Sequence, residues 1–228
     1  MIVVTAASEN HWAPLRNLLA SLRHHEPRTP VIVYDLGLKS PVVDVPLIRF
    51  EFERFPAHVG MAARSYAWKP ILITEALAEA GEPVLWLDAG DLVMGSLNGV
   101  RREIAEHGIY TPASSGCILD WTHPTTLKRM QARADLGLRA NRNGAIVGLA
   151  PRRLDFARRW RELCLDEATI TPPGSSRVNH RHDQAVLSVL FYQHIEHAER
   201  CETRKLDITV HNDHLTVGEA ASKCGISS

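Results

Sequence analysis

The first 35 residues hold an apolar strand, an amphipathic helix and a second apolar strand, an order that commits the chain to a parallel sheet. Ile2-Val3-Val4-Thr5 is the first strand. Trp12, Leu15, Leu18, Leu19 and Leu22 then recur at helical spacing, with Ser8 and Asn10 ahead of them as available caps. Pro27 and Pro30 end this helix, and Val31-Ile32-Val33-Tyr34 runs into Asp35-Leu36-Gly37. The expected class is α/β, with a central, mostly parallel sheet flanked by helices.

Further along, a short strand is expected at Leu47 to Phe52 and a helix opening at Pro70, which Gly81 stops. Leu97, Val100 and Ile104 predict another helix, Ile109-Tyr110 a strand, and Thr111 to Gly116 a loop. Pro124 opens a helix with Leu127 and Met130, and Ala145 to Leu149 reads as a strand. An amphipathic helix follows over Leu154 to Leu165. Thr171 to Ser176 is a loop, and a helix begins at His182-Asp183-Gln184. A last strand at Leu206 to Val210 leads into His211. Without repeats, low-complexity tracts or linkers, residues 1–228 are expected to form one domain.

Basic and acidic residues balance at 26 each, which argues against broad electrostatic binding to nucleic acid or anionic membranes. No apolar run is long enough to span a bilayer. The N-terminal Met-Ile-Val-Val-Thr lacks the basic start of a signal peptide, and the four cysteines form no CxxC pair. A reduced, cytoplasmic protein is expected. The histidines are numerous but not at zinc-site spacing, so most are expected at the surface or as caps.

Val84-Leu85-Trp86-Leu87 is a buried-strand pattern that ends in Asp88-Ala89-Gly90-Asp91. Carboxylates leaving the core at a strand end need a positive partner, such as a divalent ion carrying a diphosphate. The alternative is a tight turn in which Asp88 and Asp91 cap backbone amides. Several common classes are excluded. Thr5-Ala6-Ala7-Ser8-Glu9-Asn10 is not GxGxxG, and the chain has no GxxxxGK[ST] and no GxSxG.

Six segments, in order, resemble nucleotide-diphosphosugar glycosyltransferases of the GT-A fold, especially the family 8-like group and a related uncharacterised domain family. They are Val3-Val4-Thr5-Ala6-Ala7-Ser8, Tyr34-Asp35-Leu36-Gly37, Tyr66-Ala67-Trp68-Lys69-Pro70, Leu85-Trp86-Leu87-Asp88, Asn143-Gly144-Ala145 and His182-Asp183-Gln184. The resemblance implies a nucleoside-diphosphate sugar donor, UDP-sugar favoured, and transfer of a hexose to a glycan or other hydroxyl acceptor with retention. Surface-polysaccharide assembly would be a fitting setting.

The resemblance also implies site roles. Thr5 and Ala6 would flank the base, and Asp35 the base or ribose. Asp88 matches the first acid of the family's Asp-x-Asp motif, which holds Mn²⁺ or Mg²⁺. The second acid is missing, because position 90 is Gly90. Asp91, one residue late, and His211, after the last strand, are the other candidate metal ligands. Lys69 and Arg64 would meet the diphosphate, although Lys69 also reads as an ordinary solvated side chain. Asn143 and Gly144 would approach the donor sugar. Asp183 and Gln184 would serve the reacting centre and His182 the acceptor, with Asp183 as a plain helix cap the alternative. Two other activities remain open at this level. One is a non-catalytic sugar-nucleotide or carbohydrate binding protein, which the loss of an acid at Gly90 would suit. The other is a nucleotidyltransferase.

Overall fold

The structure is a computed structural model that describes residues 1–41 and 43–226. Its elements begin with β1 (Ile2–Ala7), α1 (Trp12–His25), β2 (Val31–Asp35), β3 (Leu47–Arg49), α2 (Trp68–Ala80) and β4 (Val84–Leu87). Next come β5 (Leu92–Val93), α3 (Asn98–His107), β6 (Ile109–Tyr110), β7 (Ala113–Cys117), α4 (Ile118–Trp121) and α5 (Pro124–Arg129). The remainder is β8 (Ala140–Arg142), β9 (Ile146–Leu149), α6 (Leu154–Leu165), α7 (Glu167–Ile170), α8 (Asp183–His194), β10 (Ile208–Thr209) and α9 (Val217–Lys223).

The main sheet has the order β3-β2-β1-β4-β9-β6. β1 pairs in parallel with both β2 and β4, and β2 with β3, whereas β9 runs antiparallel to β4 and β6. This is the central, mostly parallel sheet that the opening strand–helix–strand unit demands. β4 shows why it is central. Its side chains alternate between two apolar layers, as strand geometry requires. Val84 and Trp86 pack with Ile71, Leu72, Trp160 and Phe191 from α2, α6 and α8. Leu85 and Leu87 pack on the other face with Leu18, Leu22, Val100 and Ile104 from α1 and α3.

Four local expectations change. α2 starts at Trp68 rather than Pro70, which draws Lys69 into its first turn. β3 stops at Arg49 because Phe50 turns inward onto Phe52 and Phe55, with ring centroids 4.7 and 5.2 Å away. Within the expected loop 111–116, Ala113–Cys117 is a strand paired antiparallel with β8. At the end of β8, buried Arg142 donates to the Thr111 and Glu202 carbonyls and lies 4.2 Å from the Phe191 ring centroid. The last strand is only two residues long. It pairs antiparallel with β5, so the chain that follows returns beside the turn at Asp88–Asp91.

Candidate active site

A cavity of about 570 Å³ opens where β1, β2 and β4 end. Their C-terminal edge is where open α/β sheets bind ligands. Ala6 and Ala7 end β1 and Ser8 continues from it, Leu36 follows β2, and Asp88 follows β4. The walls come from three segments, around residues 61–69, 177–184 and 211–213, and from the turn at 143–145.

The backbone is strained around this cavity. Seven non-glycine residues among those described have positive φ, and four of them line it: Arg64 at 53°, Tyr66 at 57°, His182 at 47° and His211 at 61°. Each such conformation costs about 1–3 kcal/mol and persists only where its surroundings impose it, which is typical of functional sites. Buried Ser65 holds the first pair, its hydroxyl donating to the His58 carbonyl.

Lys69 is the electrostatic centre. It is only 4% exposed, so the solvated reading is overturned. Its placement in α2, behind the apolar residues Trp68 and Ile71, carries the ammonium inward. Nζ donates to the Gly144 carbonyl at 3.0 Å and lies 2.9 Å from Asp88 Oδ1 and 3.5 Å from Asp183 Oδ2. It also sits 5.7 Å from the ring centroids of Tyr66 and Trp86. Burial opposes its charge, but Asp88, Asp183 and Asp91 together outweigh burial and hold its pKa above the ordinary lysine value.

Asp88 also accepts from Trp86 Nε1 at 2.7 Å. Both contacts fall on Oδ1, which leaves Oδ2 uncommitted among the described residues. Burial pushes the Asp183 carboxyl up to about 6; Lys69 pulls it down, and Asp88 pushes it up again. The backbone of Asp183 is fixed by Trp160, whose Nε1 donates to its carbonyl at 3.1 Å. Gln184 Oε1 accepts the Gly144 N–H at 3.3 Å, and a Cβ on Gly144 would come within 3.2 Å of the Gln184 side chain. The glycine therefore lets the 143–145 turn approach α8 closely. Asn143 turns its Oδ1 back to the Ala145 N–H at 2.8 Å.

His180 and His182 are buried rather than superficial. His180 Nδ1 accepts the His123 N–H at 3.2 Å, so its Nε2–H donates to the Ile170 carbonyl at 2.9 Å. His182 Nδ1 lies 3.2 Å from the same carbonyl. Burial, aided by His182, lowers the His180 pKa to about 4, and burial lowers that of His182 as well. Both rings are neutral near pH 7 and pin the 171–182 loop to α7.

All but two of the residues singled out in the sequence line this cavity. The exceptions are Thr5, fully buried within β1, and Asp35, whose Oδ1 accepts the Gly37 and Leu38 N–H groups at 2.7 and 2.6 Å. Asp91 is also used as a cap. Its Oδ2 accepts the Asp88 N–H at 3.1 Å, while Oδ1 is buried without a hydrogen-bond partner. Burial, and then Asp88, push its carboxyl well above the usual range. Sequence reasoning missed Arg177, Arg181, His11 and Asp213, which line the same cavity. Arg181 stacks over Trp121 at 3.9 Å, a pairing across 60 residues that no local pattern announces. Asp213 lies two residues beyond His211, so the signal was close at hand.

For a divalent ion, no group of three or more His, Cys, Asp or Glu side chains among the described residues is arranged to hold one alone. Mg²⁺, however, is commonly held by one or two carboxylates with substrate phosphates and water completing its shell. Asp88, half-exposed with a free Oδ2, suits that arrangement.

These features define a GT-A-type fold with a polar cleft at the C-terminal edge of its parallel strands. The galactosyltransferase LgtC, solved in complex with donor and acceptor sugar analogues, superposes with a TM-score of 0.59 at 14% identity, covering 99% of this chain and 95% of that one. The bifunctional glycosyltransferase WbbM in its apo form also gives 0.59, at 9% identity, with 98% of this chain and 49% of that one covered. The apo form of the glycosyltransferase GlyE from Streptococcus pneumoniae gives 0.50 at 16% identity, over 86% of this chain and 44% of that one. No family model matches the chain, and no curated protein matches it in sequence. No helix among the described residues is long and apolar enough to cross a membrane.

Proposed function

We propose that the protein is a glycosyltransferase that moves a sugar from a nucleoside-diphosphate sugar, UDP-sugar favoured, to an acceptor hydroxyl. Fold alone does not carry this, since one fold serves many functions. The carrying observation is the buried Lys69 ammonium, held between Asp88 and Asp183 beneath a cavity at the C-terminal strand edge.

In this reading, Ala6 and its neighbours at the end of β1 receive the base. Thr5 and Asp35 shape that pocket from behind rather than by contact. Charge building on the leaving diphosphate is met by the buried, fixed Lys69 and by Arg64, Arg177 and Arg181 on the cavity wall. Asp183 faces the anomeric centre, where its carboxylate stabilises positive charge or takes the acceptor proton. Gln184 and the Asn143-Gly144 turn orient the donor sugar, and His182, neutral and rigidly placed, meets the acceptor. A Mg²⁺ or Mn²⁺ ion at Asp88, when bound, supplies further neutralisation of the diphosphate. Asp91 and His211 remain its other candidate ligands from the sequence. Hexose transfer with retention, in polysaccharide assembly, extends the proposal on the family 8 resemblance alone.

The test is a thermal-shift panel of UDP, GDP, CDP and ADP, each with Mn²⁺, Mg²⁺ or EDTA, on wild type and Asp88→Ala. Stabilisation by one diphosphate, weakened in the variant, is the expected result. It should be followed by release of that diphosphate from the matching nucleotide sugars. No shift with any nucleotide overturns the proposal.

A further inference from the structure

Position 90 is a glycine, yet the space beside it is filled from elsewhere in the chain. A Cβ built on Gly90 would lie 2.4 Å from Asp213 Oδ1 and 2.6 Å from Oδ2. The Asp213 carboxylate, with its Cγ 2.6 Å from that Cβ position, therefore occupies the space that a side chain on residue 90 would enter. A Cβ at residue 90 would require the Asp213 carboxylate to leave its present position, because real Cβ atoms do not show non-bonded contacts this short.

The approach is built rather than accidental. β10 pairs with β5 immediately after the Asp88–Asp91 turn. The next segment is then fastened to the turn itself. Buried Asn212 gives its backbone N–H and its Nδ2 to the Gly90 carbonyl, at 2.8 and 3.1 Å, and Lys223 Nζ donates to its Oδ1 at 2.6 Å. Asp213 follows directly on this anchor. Among the described residues its one ion-pair contact is His11 Nε2, at 3.7 Å. In the same wall Asp91, 1% exposed, keeps Oδ1 without a hydrogen-bond partner. Three carboxylates, Asp88, Asp91 and Asp213, thus crowd one side of the cavity, where Lys69 alone is a buried cation.

We infer that Asp213 supplies the second carboxylate of a divalent-cation subsite shared with Asp88, and that Gly90 is the seat that admits it. This rests on the nucleoside-diphosphate reading, since two carboxylates hold Mg²⁺ or Mn²⁺ with phosphate oxygens and water completing the shell. The missing acid of the Asp-x-Asp pattern is thereby relocated rather than lost.

The experiment measures Mn²⁺ binding by electron paramagnetic resonance, in the presence of whichever of UDP, GDP, CDP or ADP stabilises the wild type. The variants are Asp213→Asn, Gly90→Ala and the relocation variant Gly90→Asp/Asp213→Gly, with melting temperature in EDTA as the folding control. Asp213→Asn is expected to bind Mn²⁺ at least about tenfold more weakly. Gly90→Ala, which keeps the carboxylate but displaces it, should weaken binding in the same direction, and the relocation variant should recover it. If Asp213→Asn holds Mn²⁺ as tightly as wild type while diphosphate binding persists, the inference fails and the functional reading stands. Failure of the relocation variant to improve on Asp213→Asn also counts against the inference. If no diphosphate stabilises the wild type under any metal condition, both fail together.

Discussion

Lys69 Nζ lies 2.9 Å from Asp88 Oδ1, joining the first turn of α2 to the end of β4 inside the protein rather than at its surface. This pair, with Asp183 behind it, ties the stability of the fold to the readiness of the site. A buried pair of this kind gains little over an apolar replacement of both partners, but breaking it by removing one partner is costly.

Lys69→Met is accordingly expected to lose about 3 kcal/mol of folding stability, because Asp183 is left buried with no cation beside it. Urea denaturation checks this. A loss well under 1 kcal/mol would mean that the ammonium is not needed to hold the two carboxylates. The double variant Lys69→Met/Asp183→Asn should recover part of the loss, since it removes the stranded charge.

Asp183 makes the protein's stability depend on pH in a defined direction. Its folded pKa, about 6, is above the ordinary aspartate value of 3.8, so the folded state holds its proton more tightly than the unfolded chain does. Stability from this group is present at low pH and declines as pH rises from about 4 through 6. Asp183→Asn does not titrate. Its melting temperature, relative to wild type, should therefore rise across that window, and a flat difference from pH 4 to 7 would refute the burial argument. In catalysis the same ionisation should appear as an acid limb near pH 6 that the variant lacks.

His180 acts with the opposite sign. Its folded pKa, about 4, is below the ordinary histidine value of 6.5, so stability from this group is full above about 6.5 and is lost as pH falls towards 4. Protonation sets a charge where Nδ1 accepts the His123 N–H. The 171–182 loop should consequently lose hydrogen-exchange protection, referred to the intrinsic rate at each pH, at pH 4.5 relative to pH 7, ahead of the β1–β4 core. Equal protection of the loop at both pH values would show that the ring does not hold it.

Gly148 lets β9 pack against α3. A Cβ there would lie 2.5 Å from Ile104 Cδ1 and 2.9 Å from Cγ1. Gly148→Ala should cost about 1–3 kcal/mol by overpacking. Ile104→Val in the same chain should recover part of that, giving a favourable coupling in a double-mutant cycle. Strictly additive losses would show that the contact relaxes by other means.

Much of this protein is determined by the sequence itself. The strand–helix–strand opening and the alternation of β4 between two apolar layers dictate a parallel sheet, because burial on both faces can be satisfied in few ways. The residues that line the cavity were largely legible too, since Asp88, Asn143-Gly144 and Asp183-Gln184 all occur at element ends. What only the tertiary structure decided is which of them meet, and in what state. Lys69 looks solvated in sequence, but α2 carries it inward to two carboxylates. Arg181 finds Trp121, His180 finds Ile170 and His123, and Asp213 fills the space left by Gly90 from 123 residues away. Local patterns report burial and periodicity, which depend on neighbours along the chain. Charge pairing and close approach depend on neighbours in space, and the packing of distant elements alone sets those.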